Sequence, residues 1–260
     1  MKESLLWQIT HPSSGVKHFV FGTMHVRNDA AYSHTHKADK YLKTCSKFAG
    51  EMNLHDEELL HIQDYFELPQ VLSLHDLLGD RKYDRYSKII LKAFNIDIGH
   101  YIRLKPMILT NMISEQLLSA SHETSLDQYM WDQAEAADKE MYGLESAAQQ
   151  IEILKAIPLD LQVKMLKDMT QNVSRFRKNV FKLSKLYEEG KVHQLYKSAK
   201  RSLGKLRKPL LYTRNHKMAD RIVELTKDES LFVAVGAAHL SGRHGVLRLL
   251  KKSGYKLRAL

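Results

Sequence analysis

The sequence predicts an α/β (α+β) chain with a mixed central sheet built from both chain ends and a large helical middle. Three observations predict it. Short β-rich runs occupy both ends, at residues 5–9 and 18–21 and again at 231–235 and 255–260. The middle is filled by stretches whose apolar residues recur at helical spacing. The 260 residues are 43% hydrophobic and 27% charged, which excludes a disordered chain and suits one large domain over 1–260.

Residues 5–9 form an apolar run, His11-Pro12-Ser13-Ser14-Gly15 has turn chemistry, and residues 18–21 resume the strand. That pattern reads as a hairpin. A helix is expected over 36–43 and a short strand over 47–52. Residues 59–113 read as helical, with breaks near Pro69, Gly79 and Pro106. Another helix is expected over 126–137 and a strand over 140–144. From 158 to 188, Leu161, Met165, Met169, Val173, Phe176, Val180, Leu183 and Tyr187 recur at spacings of three and four. This narrow stripe predicts one long helix. Gly190 ends it, and a second basic helix covers 192–203. A helix follows Pro209 to about residue 225. Leu231-Phe232-Val233-Ala234-Val235 is the most strongly marked strand. A Gly-containing turn, a helix over 245–251 and a last strand over 255–260 close the chain.

The formal net charge is +10, which raises nucleic acid or an anionic membrane as partners. The charge is not spread evenly. Residues 161–208 hold 14 Lys and Arg against 3 Asp and Glu, so the remainder is nearly neutral. The segment of about 158–208 reads as a basic helical cap that steers anionic substrates toward a cleft. Its Phe176 and Tyr187 lie on the apolar stripe, so core packing explains them and nucleic acid is not expected as a partner. Cys45 is the single cysteine, which excludes an intramolecular disulfide and fits a reducing compartment. The first ten residues lack the apolar core of a leader, and the longest apolar run, 231–240, is about half a membrane span. A cytoplasmic location without a membrane span is expected.

Two segments echo each other. Phe19-Val20-Phe21-Gly22-Thr23-Met24-His25 and Val233-Ala234-Val235-Gly236-Ala237-Ala238-His239 each run a strand into G-x-x-H. With 14 histidines in the chain, one such match is weak. Its repetition in the same context gives it weight. A fainter echo pairs Ala49-Gly50-Glu51 with Tyr142-Gly143-Leu144-Glu145. Strand ends of an open sheet converge on one edge, where ligands bind. Gly after a strand lets the backbone turn sharply or approach a ligand. Two imidazoles and two carboxylates suit a divalent ion such as Zn²⁺, Mn²⁺ or Co²⁺. Such an ion lowers the pKa of bound water to about 7 and polarises a carbonyl. A carboxylate outside the ligand set would serve as general base. The helical H-E-x-x-H signature, the G-x-S-x-G elbow, the Walker A loop and G-x-G-x-x-G are all missing from the sequence. His34, His36, His55, His61 and His75 are expected on the solvated surface, and Gly242-Arg243-His244-Gly245 reads as a plain turn.

Further matches extend over nearly the whole chain. They are Leu5-Leu6-Trp7-Gln8-Ile9, Gly50-Glu51-Met52, Leu104-Lys105-Pro106, Leu126-Asp127, Gly143-Leu144-Glu145 with Gln149-Gln150, Thr213-Arg214-Asn215 with Met218-Ala219, and Val235 to Gly242. Together with the paired G-x-x-H, the sequence resembles the TraB/GumN (PrgY-like) family, which includes the Tiki proteins. The resemblance implies a fold related to erythromycin esterase and ChaN-like proteins. It implies that His25, His239, Glu51 and Glu145 are catalytic and metal-ligating. It places Arg214 in the catalytic centre, where it would pair with a Glu or an oxyanion. Asn215, Gly22, Gly236 and Asp127 are implied to face substrate, although Asp127 also suits a helix cap.

The expected function is a divalent-metal-dependent hydrolase of the peptidase or amidase kind, acting on a peptide or small molecule. The alternative is a non-catalytic regulatory protein of the pheromone-shutdown type that binds a peptide or ligand in the same cleft.

Overall fold

The computed structural model describes residues 3–260, with the side chains of Leu60 and His61 outside the description. The expectation for His61 therefore lies outside the described residues. The chain opens with a hairpin of β1 (Leu6–Thr10) and β2 (Lys17–Thr23), turned at Gly15 with φ +72°. Short α1 (Asp29–Tyr32) and α2 (Thr35–Leu42) lead to β3 (Lys47–Met52). A 3-10 segment, Glu57–Tyr65, precedes α3 (Leu74–Leu78), α4 (Asp80–Phe94), α5 (Pro106–Leu117) and α6 (Leu126–Glu135). Then come β4 (Glu140–Glu145), α7 (Ala147–Lys155), α8 (Leu159–Gln171), α9 (Val173–Glu188) and α10 (Val192–Leu203). A π-helical segment, Lys208–Thr213, runs directly into α11 (Arg214–Leu225). The chain closes with β5 (Leu231–Gly236), α12 (Ala237–Leu240), α13 (Val246–Lys252) and β6 (Lys256–Ala259).

The sheet is mixed, as the sequence predicts, with the order β4-β3-β5-β2-β1-β6. Neighbours β4, β3, β5 and β2 are parallel, while β1 runs antiparallel to β2 and β6. Leu231, Phe232, Val233 and Val235 of β5 are fully buried, as a strand covered on both faces requires. The four parallel strands carry the expected site residues at or just beyond their C-terminal ends. The faint echo is a true pairing, because Gly50 lies opposite Gly143. The stronger echo is shifted by one residue: Gly22 lies opposite Val235, and Thr23 opposite Gly236.

Phe48 sits between Phe232, stacked at 6.3 Å, and Trp131, edge-on at 5.8 Å. The apolar faces of α9 and α10, with Val180, Leu186, Tyr187 and Leu195, belong to this same sheet-side core. A second cluster joins α3, α4, α5 and α8 through Leu74, Ile90, Leu109, Ile113 and Leu166.

Three local expectations need correction. The single helix over 158–188 is two helices broken at Asn172. There φ is −142° and ψ 66°, and the side chain accepts from the Arg175 N–H. Asn competes for backbone groups in this way and starts a new helix without disturbing the apolar stripe. The helical middle is also interrupted where left-handed Asn95 ends α4, and it resumes at Pro106. The expected break near Pro106 is present, and Pro106 itself begins α5, because the first turn needs no N–H from it. Finally, the turn after β5 holds α12, a single helical turn that carries His239.

Candidate functional site

Arg214 organises the carboxylates. Its Nε donates to Glu145 Oε1 and Oε2 at 3.1 and 2.9 Å. Its Nη2 donates to Glu145 Oε2 at 2.6 Å and to Glu51 Oε2 at 2.9 Å. Gln150 Nε2 adds a further donor to Glu145 Oε2 at 2.9 Å. The side chains are 1% (Glu145), 14% (Arg214) and 16% (Glu51) exposed, so the charges answer one another and not water. The Gly236 N–H donates to Glu51 Oε1 at 2.6 Å. Burial opposes ionisation of Glu51. The charges of His239, Arg214 and His25 and the Gly236 N–H outweigh it and hold the carboxyl at about 2.

His239 is fixed by a relay. Its Nδ1 lies 2.5 Å from Asn215 Oδ1, and Asn215 Nδ2 donates to the His244 carbonyl at 2.6 Å. A carbonyl only accepts, so this network assigns Asn215 its amide orientation. Asn215 Oδ1 must then accept from His239, which places the ring proton on Nδ1. Burial pushes His239 down to about 4, so the ring is neutral at pH 7. Its Nε2 carries a free lone pair, 3.9 Å from Glu51 Oε1.

His25 is placed differently. Its side chain is 66% exposed, and Nδ1 stands 3.4 Å from Asp127 Oδ2. Asp127 Oδ1 accepts from the Thr23 hydroxyl at 2.5 Å, whereas Oδ2 is buried without a hydrogen-bond partner. The Asp127 carboxylate pulls the His25 pKa up, with Glu51 adding to it. Ser125, not Asp127, caps α6. The β2 end is pinned just ahead of His25 by the buried Tyr187, whose hydroxyl donates to the Gly22 carbonyl at 2.7 Å.

The structure thus brings Glu51, Glu145, His239 and Arg214 together, with His25 and Asp127 as a second pair at the same sheet edge. Gly236 touches the site through its N–H, and a Cβ there would stand 3.0 Å from Glu51 Oε1. Gly22 serves packing: a Cβ there would stand 2.7 Å from Leu240 Cδ1 and 3.1 Å from Ala237 Cα. The first motif's glycine is what lets the second motif's helix approach. Asn215 is fully buried behind His239 and presents no face to a substrate. Gln150, Thr23 and Tyr187 were given no role by sequence reasoning. Tyr187 was hidden on the apolar stripe, and Thr23 and Gln150 lay inside or beside recognised motifs.

The donor types suit a divalent ion, but their spacing does not close around one. Among the described residues no group of three or more His, Cys, Asp or Glu stands at ligating distances. Glu145 is turned toward Arg214 and Gln150, which donate to both of its oxygens. The others form two separate pairs, His25 with Asp127 and Glu51 with His239.

Two cavities flank the site. One of about 400 Å³ is lined by His25 with Arg27, Tyr101, Glu115, Gln116 and Ser125. The other, of about 460 Å³, has Glu145 and Arg214 in its wall. Among the described residues, no helix is long and apolar enough to cross a membrane.

Parallel strand ends that gather two histidines and arginine-clamped carboxylates between flanking cavities define an α/β protein with a strand-end polar centre. The chain belongs to the TraB/PrgY/gumN family, whose model matches residues 5–259. It is similar to metalloprotease TIKI2 of Danio rerio, 22% identical over an alignment 312 residues long that takes in 98% of this chain and 60% of that protein. It is also similar to metalloprotease TIKI2 of Xenopus tropicalis, 23% identical over an alignment 313 residues long that takes in 98% and 59% of the two chains. The chain spans about three fifths of the length of these curated relatives. No solved structure matches it.

Proposed function

We propose that this chain is a hydrolase of peptide or amide bonds, working at the edge formed by β2, β3, β4 and β5. The observation that carries the reading is the His25–Asp127 pair, an exposed imidazole backed by a buried carboxylate. With Asp127 at Nδ1, the Nε2 of His25 is left to take a proton from an attacking water and return it to the leaving nitrogen. Arg214 keeps Glu51 ionised and fixed, and Asn215 keeps His239 in one tautomer. Glu145 acts as the anchor of Arg214. The residues of about 158–208 form a basic helical cap that draws anionic substrates to the cleft.

The distant metalloprotease relatives support a divalent ion, Mn²⁺, Co²⁺ or Zn²⁺, as cofactor. The donor spacing does not, so no step is routed through an ion. The test is hydrolysis of a mixed peptide library by the chain and by His25→Ala and His239→Ala, after chelation and after each ion is restored. Loss of about a hundred-fold or more in His25→Ala is expected for a general base. Unchanged turnover in both variants overturns the reading. Tight peptide binding without turnover, kept in Glu51→Gln, would assign the regulatory alternative instead.

A further inference from the structure

We propose that the cavity beside Arg214 and Glu145 is a specificity subsite for one large apolar side chain of the substrate, of the leucine, methionine or phenylalanine class. The inference rests on the hydrolase reading for its substrate and on the cavity itself for its chemistry.

The cavity holds about 460 Å³, within the range of small-ligand sites. Ala148, Ile153, Ala156, Leu206, Pro209 and Leu210 make its apolar lining. Ala148, Ala156 and Pro209 are exposed, and Ile153, Leu206 and Leu210 half-buried, so this apolar surface is wet in the free chain. An apolar side chain that enters removes it from water, which is favourable in proportion to the area covered.

Both walls grow from the charged pair. One is α7, whose first residue, Ala147, lies two positions after Glu145. The other is the π-helical segment, which ends at Thr213 next to Arg214. π-Helical turns are rare and concentrate at functional sites. This one places Pro209, Leu210 and Thr213 against the cavity. The pocket and the site are therefore fixed to each other by the chain itself.

Arg214 adds a recognition element. Its Nε and Nη2 are engaged by the two carboxylates. Among the described residues its Nη1 makes no hydrogen bond, so Arg214, which lines the cavity, keeps one donor for a substrate carbonyl. Gln149, Glu152 and Lys217 give a polar rim for the substrate backbone. An apolar pocket lined also by an arginine with a donor to spare and by polar neighbours suits a side chain and its adjoining peptide group.

The experiment uses Ala148→Trp, which fills the cavity from an exposed position outside the catalytic groups. The chain and the variant are assayed on peptides that differ at one position, Leu, Phe or Met against Gly. The chain is expected to prefer the apolar peptides by ten-fold or more. Ala148→Trp should abolish that preference, bringing turnover of the Leu, Phe and Met peptides down to that of the Gly peptide. No preference, or an equal loss on every peptide, overturns the subsite. In parallel, N-acetyl-phenylalaninamide and N-acetyl-glycinamide are titrated by NMR into both proteins. Binding of the phenylalanine amide alone, lost in Ala148→Trp, supports the subsite. Equal binding of the two, or binding unchanged by the substitution, overturns it. If the chain cleaves no peptide, the hydrolase reading fails, and the titration still decides the subsite.

Discussion

Replacing Arg214 with Met keeps an apolar stem of similar length and removes four hydrogen bonds to Glu51 and Glu145. With 1% and 16% of their side chains exposed, the two carboxylates cannot recover those bonds from water. Removing one partner of a buried ion pair costs about 3–5 kcal/mol. A second route gives a similar size. Glu51 is held at about 2 against an ordinary 4.5, in spite of burial, a gap equivalent to about 3 kcal/mol. His239 shares in that effect only where its ring is charged, below about pH 4. Above that the effect rests on Arg214, then His25 and the Gly236 N–H. A folded pKa below the unfolded one gives stability that is present above about pH 4.5 and lost as the pH falls toward 2. Arg214→Met should therefore lose about 3–5 kcal/mol at pH 7 and show a flatter decline of stability between pH 4.5 and 2. Urea unfolding followed by circular dichroism across that range measures both. Adding Glu145→Gln should restore part of the loss, because one unpaired charge disappears with it. A variant within about 0.5 kcal/mol of the parent, with the same acid decline, would refute the reasoning.

Two further substitutions probe the neighbouring elements. Asp127→Asn removes the charge that pulls His25 upward, so the His25 ring protons should titrate at lower pH by NMR. If His25 is the base, the acid limb of kcat/KM moves down with it. An unmoved midpoint would deny Asp127 its orienting role. Gly143→Ala would place a Cβ 2.5 Å from the Asn53 N and 2.9 Å from the Glu145 carbonyl oxygen, backbone atoms that cannot yield cheaply. A loss of about 1–3 kcal/mol, read as a lowered Tm, is expected. An unchanged Tm would mean that β3 and β4 can part without cost.

The parts of the site that were legible in the sequence are those where local pattern and long-range topology agree. A fully apolar strand followed by Gly and then His announces a buried parallel strand and its turn, and β2 and β5 are that. Glu51 and Glu145 could be placed because Gly50 and Gly143 mark the same level of paired strands. The Asn172 break was not legible, because a side chain capping its own backbone leaves the apolar stripe intact. Nor was the burial of His239. A one-turn helix has too few residues to show periodicity, and its depth depends on α10 and Asn215 from distant parts of the chain. The closed arginine–carboxylate knot was half visible. The family resemblance implied that Arg214 meets a Glu or an oxyanion, but only the fold shows it meeting two carboxylates.

The one-residue shift between β2 and β5 has a consequence for how the two histidines can behave. The two glycines therefore stand at different levels of paired strands, and the segments that follow them differ, a loop that carries His25 and a helical turn that carries His239. One ring ends in water and the other in protein. The wet ring can trade protons with bulk solvent on every encounter. The dry ring is held neutral at pH 7 by its burial. The repeated G-x-x-H therefore sets one imidazole in water and one in protein at the same sheet edge.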